Sequence, residues 1–158
     1  MVAVKHDRDA AGTIRGFTLI ELLIVVAIIG IIAAIAIPNL MNAVDKSKQK
    51  RSMSDLRTIC TAVESYAVDT ANYPYGLTTW PTLRAVVNPY FIKNPPDEDG
   101  WSNGWEAVTS SDGGQYTMVS LGKDGFSSAR PGGQTNDFDC DIVFYNGSFF
   151  QWPEGTQS

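Results

Sequence analysis

The chain has 158 residues, enough for one domain of ordinary size, and its 44% apolar and 18% charged residues are typical of a chain that folds. Its formal net charge is −5, which argues against nucleic-acid binding, because that function requires a basic face. The single histidine is His6, and neither a nucleophile–base pair nor a cofactor motif is recognisable, so we do not expect an enzyme.

The N-terminal 16 residues are basic, with a net charge of +1, and an apolar segment follows them. Counted from Phe17 to Ile37, this segment has 21 residues and would form a helix about 30 Å long, which can cross a bilayer core. The positive charges should stay in the cytoplasm, so the remainder of the chain faces outward.

Two ordinary explanations of this segment are unsatisfactory. A secretory signal peptide has an apolar core of about 7–15 residues with a small-residue cleavage site after it. Here the apolar run is longer, and the small residue Gly16 precedes it. A plain membrane anchor accounts for the length but not for Glu21, because a carboxylate costs roughly 2–3 kcal/mol toward the bilayer centre.

The segment Arg15–Glu21 (RGFTLIE) resembles the processing site of type IV prepilins. The resemblance implies that a dedicated membrane peptidase cuts between Gly16 and Phe17 and methylates the new N-terminal amine. The amine of a neighbouring subunit is then a candidate partner for Glu21, and a carboxylate that snorkels to the headgroups is the alternative. Pro38 matches a position where these proteins commonly carry proline, and it is either a hinge that lets the filament extend or a tolerated kink.

Beyond Pro38 the pattern becomes amphipathic and predicts that the helix continues to Asp69–Asn72, before Tyr73-Pro74. One face of this helix carries Met53, Leu56, Cys60, Val63 and Ala67. Residues 73–115 hold five of the eight prolines, so we expect an ordered loop with one helical turn at Pro81–Val87.

Three strands are predicted after this loop, at Tyr116–Ser120, Ile142–Tyr145 and Ser148–Trp152. Asn146-Gly147 is a strong signal for a two-residue hairpin turn between the last two. The predicted fold class is α+β: a long N-terminal helix, half membrane-spanning and half amphipathic, packed on a small antiparallel β-sheet. The expected domains are a leader 1–16, an assembly helix 17–38 and an extracytoplasmic head 39–158.

An acidic, glycine-rich loop lies between the first and second of these strands. Asp124, Asp137, Asp139 and Asp141 can converge if the loop folds back, and oxygen donors in a flexible loop suit Ca²⁺. The spacing is not that of an EF-hand. The residues alone therefore leave two alternatives, a solvated acidic loop and a calcium site.

The same loop resembles the major pseudopilin, the G subunit, of type II secretion systems. The shared strings are Ser120-Leu-Gly-x-Asp-Gly, Pro-Gly-Gly and Asp-x-Asp-Ile, and the similarity extends over essentially the whole chain. The resemblance implies one structural calcium ion, held by the carbonyl groups of Leu121 and Phe126 and by the side chains of Asp124 and Asp139, with Asp137 as the second choice to Asp139. Asp141 is expected to orient the strand instead.

Cys60 and Cys140 depart from what the family leads us to expect. Both would be extracytoplasmic, where disulfides persist. Either they form one disulfide, which would link the loop covalently to the helix, or they remain two separate buried thiols.

The resemblance implies a structural subunit of a periplasmic pseudopilus that pushes folded proteins across the outer membrane. The expected partners are other copies of the chain, minor pseudopilins, the prepilin peptidase, an inner-membrane assembly platform and membrane lipid, without nucleic acid. The expected location is the bacterial inner membrane, with one span and the head in the periplasm. The alternative is a subunit of a surface type IV pilus, used for adhesion, motility or DNA uptake.

Overall fold

The computed structural model describes residues 16–155 and Gln157, so most of the predicted leader lies outside the described residues. By their contacts the residues separate into two units, with the boundary between Pro38 and Asn39, and each unit is described by itself. The elements, in chain order, are α1 (Leu19–Thr70), α2 (Trp80–Val87), β1 (Glu106–Thr109), β2 (Tyr116–Ser120), β3 (Gly133–Thr135), β4 (Ile142–Tyr145) and β5 (Ser148–Pro153).

The first unit contains the apolar part of α1. Its large apolar side chains are exposed, from 47% for Val25 to 81% for Leu19. By length and composition, α1 is the one helix among the described residues that could cross a membrane. An uninterrupted apolar surface of this size is unstable in water and needs lipid or protein to cover it.

The second unit has its core between α1 and the sheet. Leu56, Cys60 and Val63 of the predicted apolar face are fully buried, whereas Met53 and Ala67 are half-buried. Ile59, which was not predicted, is also fully buried on α1. The helix ends at Thr70, within the predicted range. Ala71 follows with φ 63°, the left-handed conformation that commonly terminates a helix.

The sheet has five strands in the order β1-β2-β4-β5-β3. The pairs β1–β2, β2–β4 and β4–β5 are antiparallel, whereas β3 pairs with β5 in parallel. The predicted α+β class and the antiparallel pairing of the three predicted strands are confirmed, and β3, which was not predicted, adds a parallel edge strand that makes the sheet mixed. The predicted bounds of β2 and β4 are confirmed, and β5 continues one residue beyond its predicted end.

The segment between α1 and β2 contains more structure than predicted. The helical turn expected at Pro81–Val87 is confirmed as α2, which buries Trp80, Leu83 and Val87 against the core. Strand β1 also lies in this segment, which the sequence had assigned to a loop. The connection is thus an ordered part of the fold.

Candidate functional site

The predicted processing site lies at the accessible start of α1. Gly16 and Phe17 precede the helix, and Phe17 is 73% exposed. Thr18 and Glu21 form a reciprocal capping box: the Thr18 amide and hydroxyl donate to Glu21 Oε2 at 2.9 and 2.8 Å, and the Glu21 amide donates to Thr18 Oγ1 at 3.3 Å. Glu21 therefore stabilises the start of α1, a role that the T-x-x-E pattern indicates but that was not predicted.

The two halves of the predicted calcium loop lie against each other. The Lys123 amide donates to the Phe138 carbonyl at 2.9 Å, and a Cβ on Gly122 would lie only 2.8 Å from the Asp139 carbonyl oxygen. Only glycine allows this approach, since Gly122 also has φ 70°. The fold thus brings the segment Leu121–Phe126 beside the segment that contains Asp137 and Asp139.

The carboxylates of Asp124, Asp137 and Asp139 in this loop are exposed. Asp124 Oδ1 accepts the Phe126 amide, and Asp137 Oδ1 accepts the Asp139 amide, both at 3.0 Å. Within the residues that the structure describes, no group of three or more His, Cys, Asp or Glu side chains is arranged to hold a metal ion. A cation here would need one or two carboxylates together with backbone carbonyls, which is the kind of donor set that Ca²⁺ accepts.

An ion pair joins this loop to α1. Lys123 Nζ lies 2.9 Å from Asp45 Oδ2, and the Trp101 indole N–H donates to Asp45 Oδ1 at 3.3 Å. Burial raises the pKa of Asp45, but the bonds from Lys123 and Trp101 outweigh it and leave this pKa below its ordinary value. The pKa of Lys123 is raised, first by Asp45 and then by the carboxylates of Asp139 and Asp137, so the loop carboxylates also attract this ammonium.

A turn at residues 99–103, in which Asp99 is buried, supports the loop. Asp99 Oδ1 accepts the amides of Trp101 and Asn103 at 2.9 Å, and its Oδ2 accepts the Ser120 hydroxyl at 2.5 Å. The Asn103 side-chain amide donates to the Gly122 carbonyl at 2.7 Å. The turn is therefore hydrogen-bonded both to the end of β2, at Ser120, and to the start of the loop, at Gly122.

The same turn rests on α1. The Gly100 amide donates to Ser52 Oγ at 2.9 Å, and a Cβ at Gly100 would lie 2.2 Å from the Lys48 carbonyl oxygen. No side chain fits between the two backbones. Residues 99–103 thus contact α1 through Gly100 and the loop through Asn103.

The buried carboxylate of Asp141 is neutralised by Arg130. Arg130 Nε donates to Asp141 Oδ2 at 2.6 Å, and its Nη2 donates to Glu106 at 2.6 Å. Burial lowers the pKa of Arg130, but Glu106 and Asp141 outweigh this effect and raise it. Asp141 therefore has a partner of its own.

Both cysteines are free thiols in the structure. Cys60 is buried on α1, and Cys140 is half-buried in the loop. Burial raises the pKa of both thiols, and at Cys140 the nearby carboxylates of Asp137, Asp141 and Asp139 add to the rise.

Two family models match the chain. One describes protein G of the type II secretion system and covers residues 39–143, and the other describes the prokaryotic N-terminal methylation motif and covers residues 13–37. The two matches correspond to the head and to the segment that contains Gly16, Phe17 and Glu21.

Curated relatives agree with this assignment, and each carries the description type II secretion system core protein G. The Escherichia coli relative is 34% identical over 121 residues, which is 70% of this chain and 83% of the relative. The Pseudomonas aeruginosa relative is 34% identical over 137 residues, 78% of this chain and 91% of the relative, and the Vibrio cholerae relative is 34% identical over 122 residues, 70% and 81%. The chain therefore belongs to the type II secretion system protein G family, the pseudopilins.

Proposed function

We propose that this chain polymerises into the periplasmic pseudopilus of a type II secretion system and pushes folded proteins across the outer membrane. The observation that carries the proposal is the apolar segment Leu19–Ile37, whose large side chains are all exposed, in a member of this family. Lipid covers this surface before assembly, and the corresponding helices of other copies cover it in the filament. The subunit itself catalyses no reaction, and the force comes from an assembly platform in the inner membrane and a cytoplasmic ATPase.

Cleavage between Gly16 and Phe17 is the first step of the proposed function. The prepilin peptidase removes residues 1–16 and methylates the amine of Phe17, which leaves the apolar helix in the inner membrane and the head in the periplasm. Mass spectrometry of the mature protein should give a chain that begins at N-methylated Phe17. An intact leader, or a cut beyond the apolar segment, would refute this step.

The second step pairs Glu21 with the N-terminal amine of a neighbouring copy. Among the described residues, only Oε2 of Glu21 is engaged in hydrogen bonds, so Oε1 is left to accept from the amine. A pair of unit charges at ~4 Å contributes about 4 kcal/mol at an effective dielectric of 20, enough to set the register between helices. Minor pseudopilins would join the homopolymer through the same kind of contact.

Three substitutions separate this pairing from the capping role. Glu21→Gln keeps a capping side chain but removes the charge, Glu21→Leu removes both, and Thr18→Ala weakens the cap while the charge stays. We expect Thr18→Ala to assemble and both Glu21 variants to insert in the membrane without forming filaments, as seen by shearing and electron microscopy. Normal filaments from Glu21→Gln would show that the carboxylate acts only as a cap.

We also propose that the loop binds one structural Ca²⁺ ion. The carbonyl groups of Leu121 and Phe126 and the carboxylates of Asp124 and Asp139 would hold it, with Asp137 as the second choice to Asp139. When bound, the ion supplies a fixed positive centre that neutralises the loop. What supports the site is the contact between the two loop segments at Gly122, where the backbone of one segment lies against that of Phe138 and Asp139 in the other.

The calcium site is tested by thermal unfolding of the mature protein in detergent micelles. A ligand present at a hundredfold excess over its Kd stabilises the folded state by about 2.7 kcal/mol, which corresponds to roughly 6–10 °C. Asp124→Ala should abolish the difference between calcium and chelator. Asp112→Ala, which removes an exposed carboxylate outside the loop, should preserve it. Identical curves with calcium and with chelator would refute the site and leave the filament proposal intact.

A further inference from the structure

Two sets of carboxylates attract the ammonium of Lys123. The first is Asp45 of α1, 2.9 Å away. The second is in the acidic loop, where the ammonium stands 5.9 Å from the centroid of the Phe138 ring, and Phe138 is flanked in sequence by Asp137 and Asp139. The ammonium is only partly enclosed, because the Lys123 side chain is 46% exposed. It can therefore reorient if one partner is removed.

A positive charge in this position opposes cation binding in two ways. It repels a divalent cation that approaches the loop, and it competes with the cation for Asp137 and Asp139. Both effects grow as the ammonium moves toward the loop and shrink as it moves toward α1. The position of the Lys123 side chain therefore controls the affinity of the loop for a cation.

Asp45 is built to hold this ammonium on the helix side. Its side chain is 11% exposed, and the indole N–H of Trp101 holds one of its oxygens. Trp101 itself is fixed, because its amide donates to Asp99 and the neighbouring Gly100 amide donates to Ser52 of α1. The Asp45 carboxylate therefore has a fixed orientation. A charge-assisted bond to such a restrained acceptor loses less side-chain entropy than a bond to a mobile surface carboxylate.

We propose that Lys123 is an internal competitor of the loop cation and that Asp45 is the positioning residue that holds it away from the loop. The proposal rests on calcium binding by the loop under the proposed function. Within the described part of the chain, the Asp45 carboxylate bonds to Lys123 and Trp101, neither of which is an expected calcium ligand, so we assign its effect on the cation to Lys123.

The test is a double-mutant cycle on calcium affinity, measured by equilibrium dialysis of the full mature protein in detergent micelles. Asp45→Asn keeps an oxygen for the Trp101 indole but removes the ion pair, so calcium should bind roughly threefold to tenfold more weakly. Lys123→Met keeps the aliphatic stem and removes the charge, so calcium should bind more tightly by a similar factor. In the Lys123→Met background, Asp45→Asn should have no further effect.

Matched controls change the same charges elsewhere on the head. Asp97→Asn breaks the surface ion pair with Arg84, and Lys93→Met removes an exposed ammonium. Both should leave calcium affinity within about twofold of the wild type, because screening weakens distant surface charges. A large effect from either control would mean that net charge sets the affinity and would overturn the proposal.

The outcomes separate the proposal from the site on which it rests. If Asp45→Asn weakens calcium binding equally in the wild type and in the Lys123→Met background, Asp45 only supports the fold and the proposal is wrong. If Lys123→Met weakens binding, the lysine is not a competitor and the proposal is also wrong. A wild-type protein that retains no calcium in dialysis refutes the site itself, and the proposal with it.

Discussion

The buried Asp99 carboxylate is the acceptor that holds the turn at residues 99–103 together, and Asp99→Ala should destabilise the head. The substitution leaves the amides of Trp101 and Asn103 and the hydroxyl of the fully buried Ser120 without their acceptor. An unsatisfied buried donor costs about 1–3 kcal/mol. Since Trp101 and Asn103 are half-exposed and water can reach them, we expect a total loss of about 3–5 kcal/mol in the free energy of unfolding.

Thermal unfolding of the mature protein in micelles, with chelator present, measures this loss. A change of this size lowers Tm by about 10–15 °C in a domain of this length. Asp99→Asn is the matched variant, because its amide oxygen still accepts both backbone N–H groups and its amide nitrogen can donate to the Ser120 hydroxyl. It should stay within about 1 kcal/mol of the wild type. Equal destabilisation by the two variants, or an Asp99→Ala protein that melts like the wild type, would show that the turn does not depend on these bonds.

Other predictions follow from the thiols and the two ion pairs. Iodoacetamide should modify the half-buried Cys140 in the native protein and the buried Cys60 only after unfolding. The rate of Cys140 alkylation should still rise above pH 9, because the pKa of this thiol is raised from its ordinary value of 9.0. Arg130→Ala should cost about 2–3 kcal/mol in chemical denaturation, since it leaves the buried Asp141 carboxylate with weaker donors only, and an unchanged midpoint would contradict this. The pKa of Asp45 is lowered from its ordinary value of 3.8, so the ionised carboxylate stabilises the fold above that pH. This stabilisation is lost as the pH falls through the folded-state pKa. The difference in the free energy of unfolding between wild type and Asp45→Asn should therefore be large at pH 7 and small near pH 3.

The strands that the sequence predicted are those that local patterns specify. β4 and β5 flank Asn146-Gly147, a turn that favours a hairpin on its own. β1 and β3 have only four and three residues, and neither has an alternating pattern long enough to recognise. They become strands because β2 and β5 offer them unpaired backbone groups, and this information lies in the tertiary structure.

The site shows the same division between local and tertiary signals. The capping pair Thr18 and Glu21 follows a short-range rule and was readable from the sequence. Asp45 precedes a lysine-rich stretch that is typical of a solvated helix face, so its burial could not be predicted. The partners that satisfy the buried Asp45 carboxylate, Trp101 and Lys123, lie 56 and 78 residues away in the chain.

The backbone contact between Gly100 and Lys48 limits how this protein can evolve. Any side chain at position 100 would wedge the turn off the helix, and it would carry Trp101 away from Asp45 and Asn103 away from Gly122 in the same movement. Substitutions of Gly100 are therefore not tolerated, although Gly100 is not an expected calcium ligand. A mutational library that varies the exposed loop residues can keep the turn constant, whereas a library that varies position 100 should return glycine after selection for a stable head.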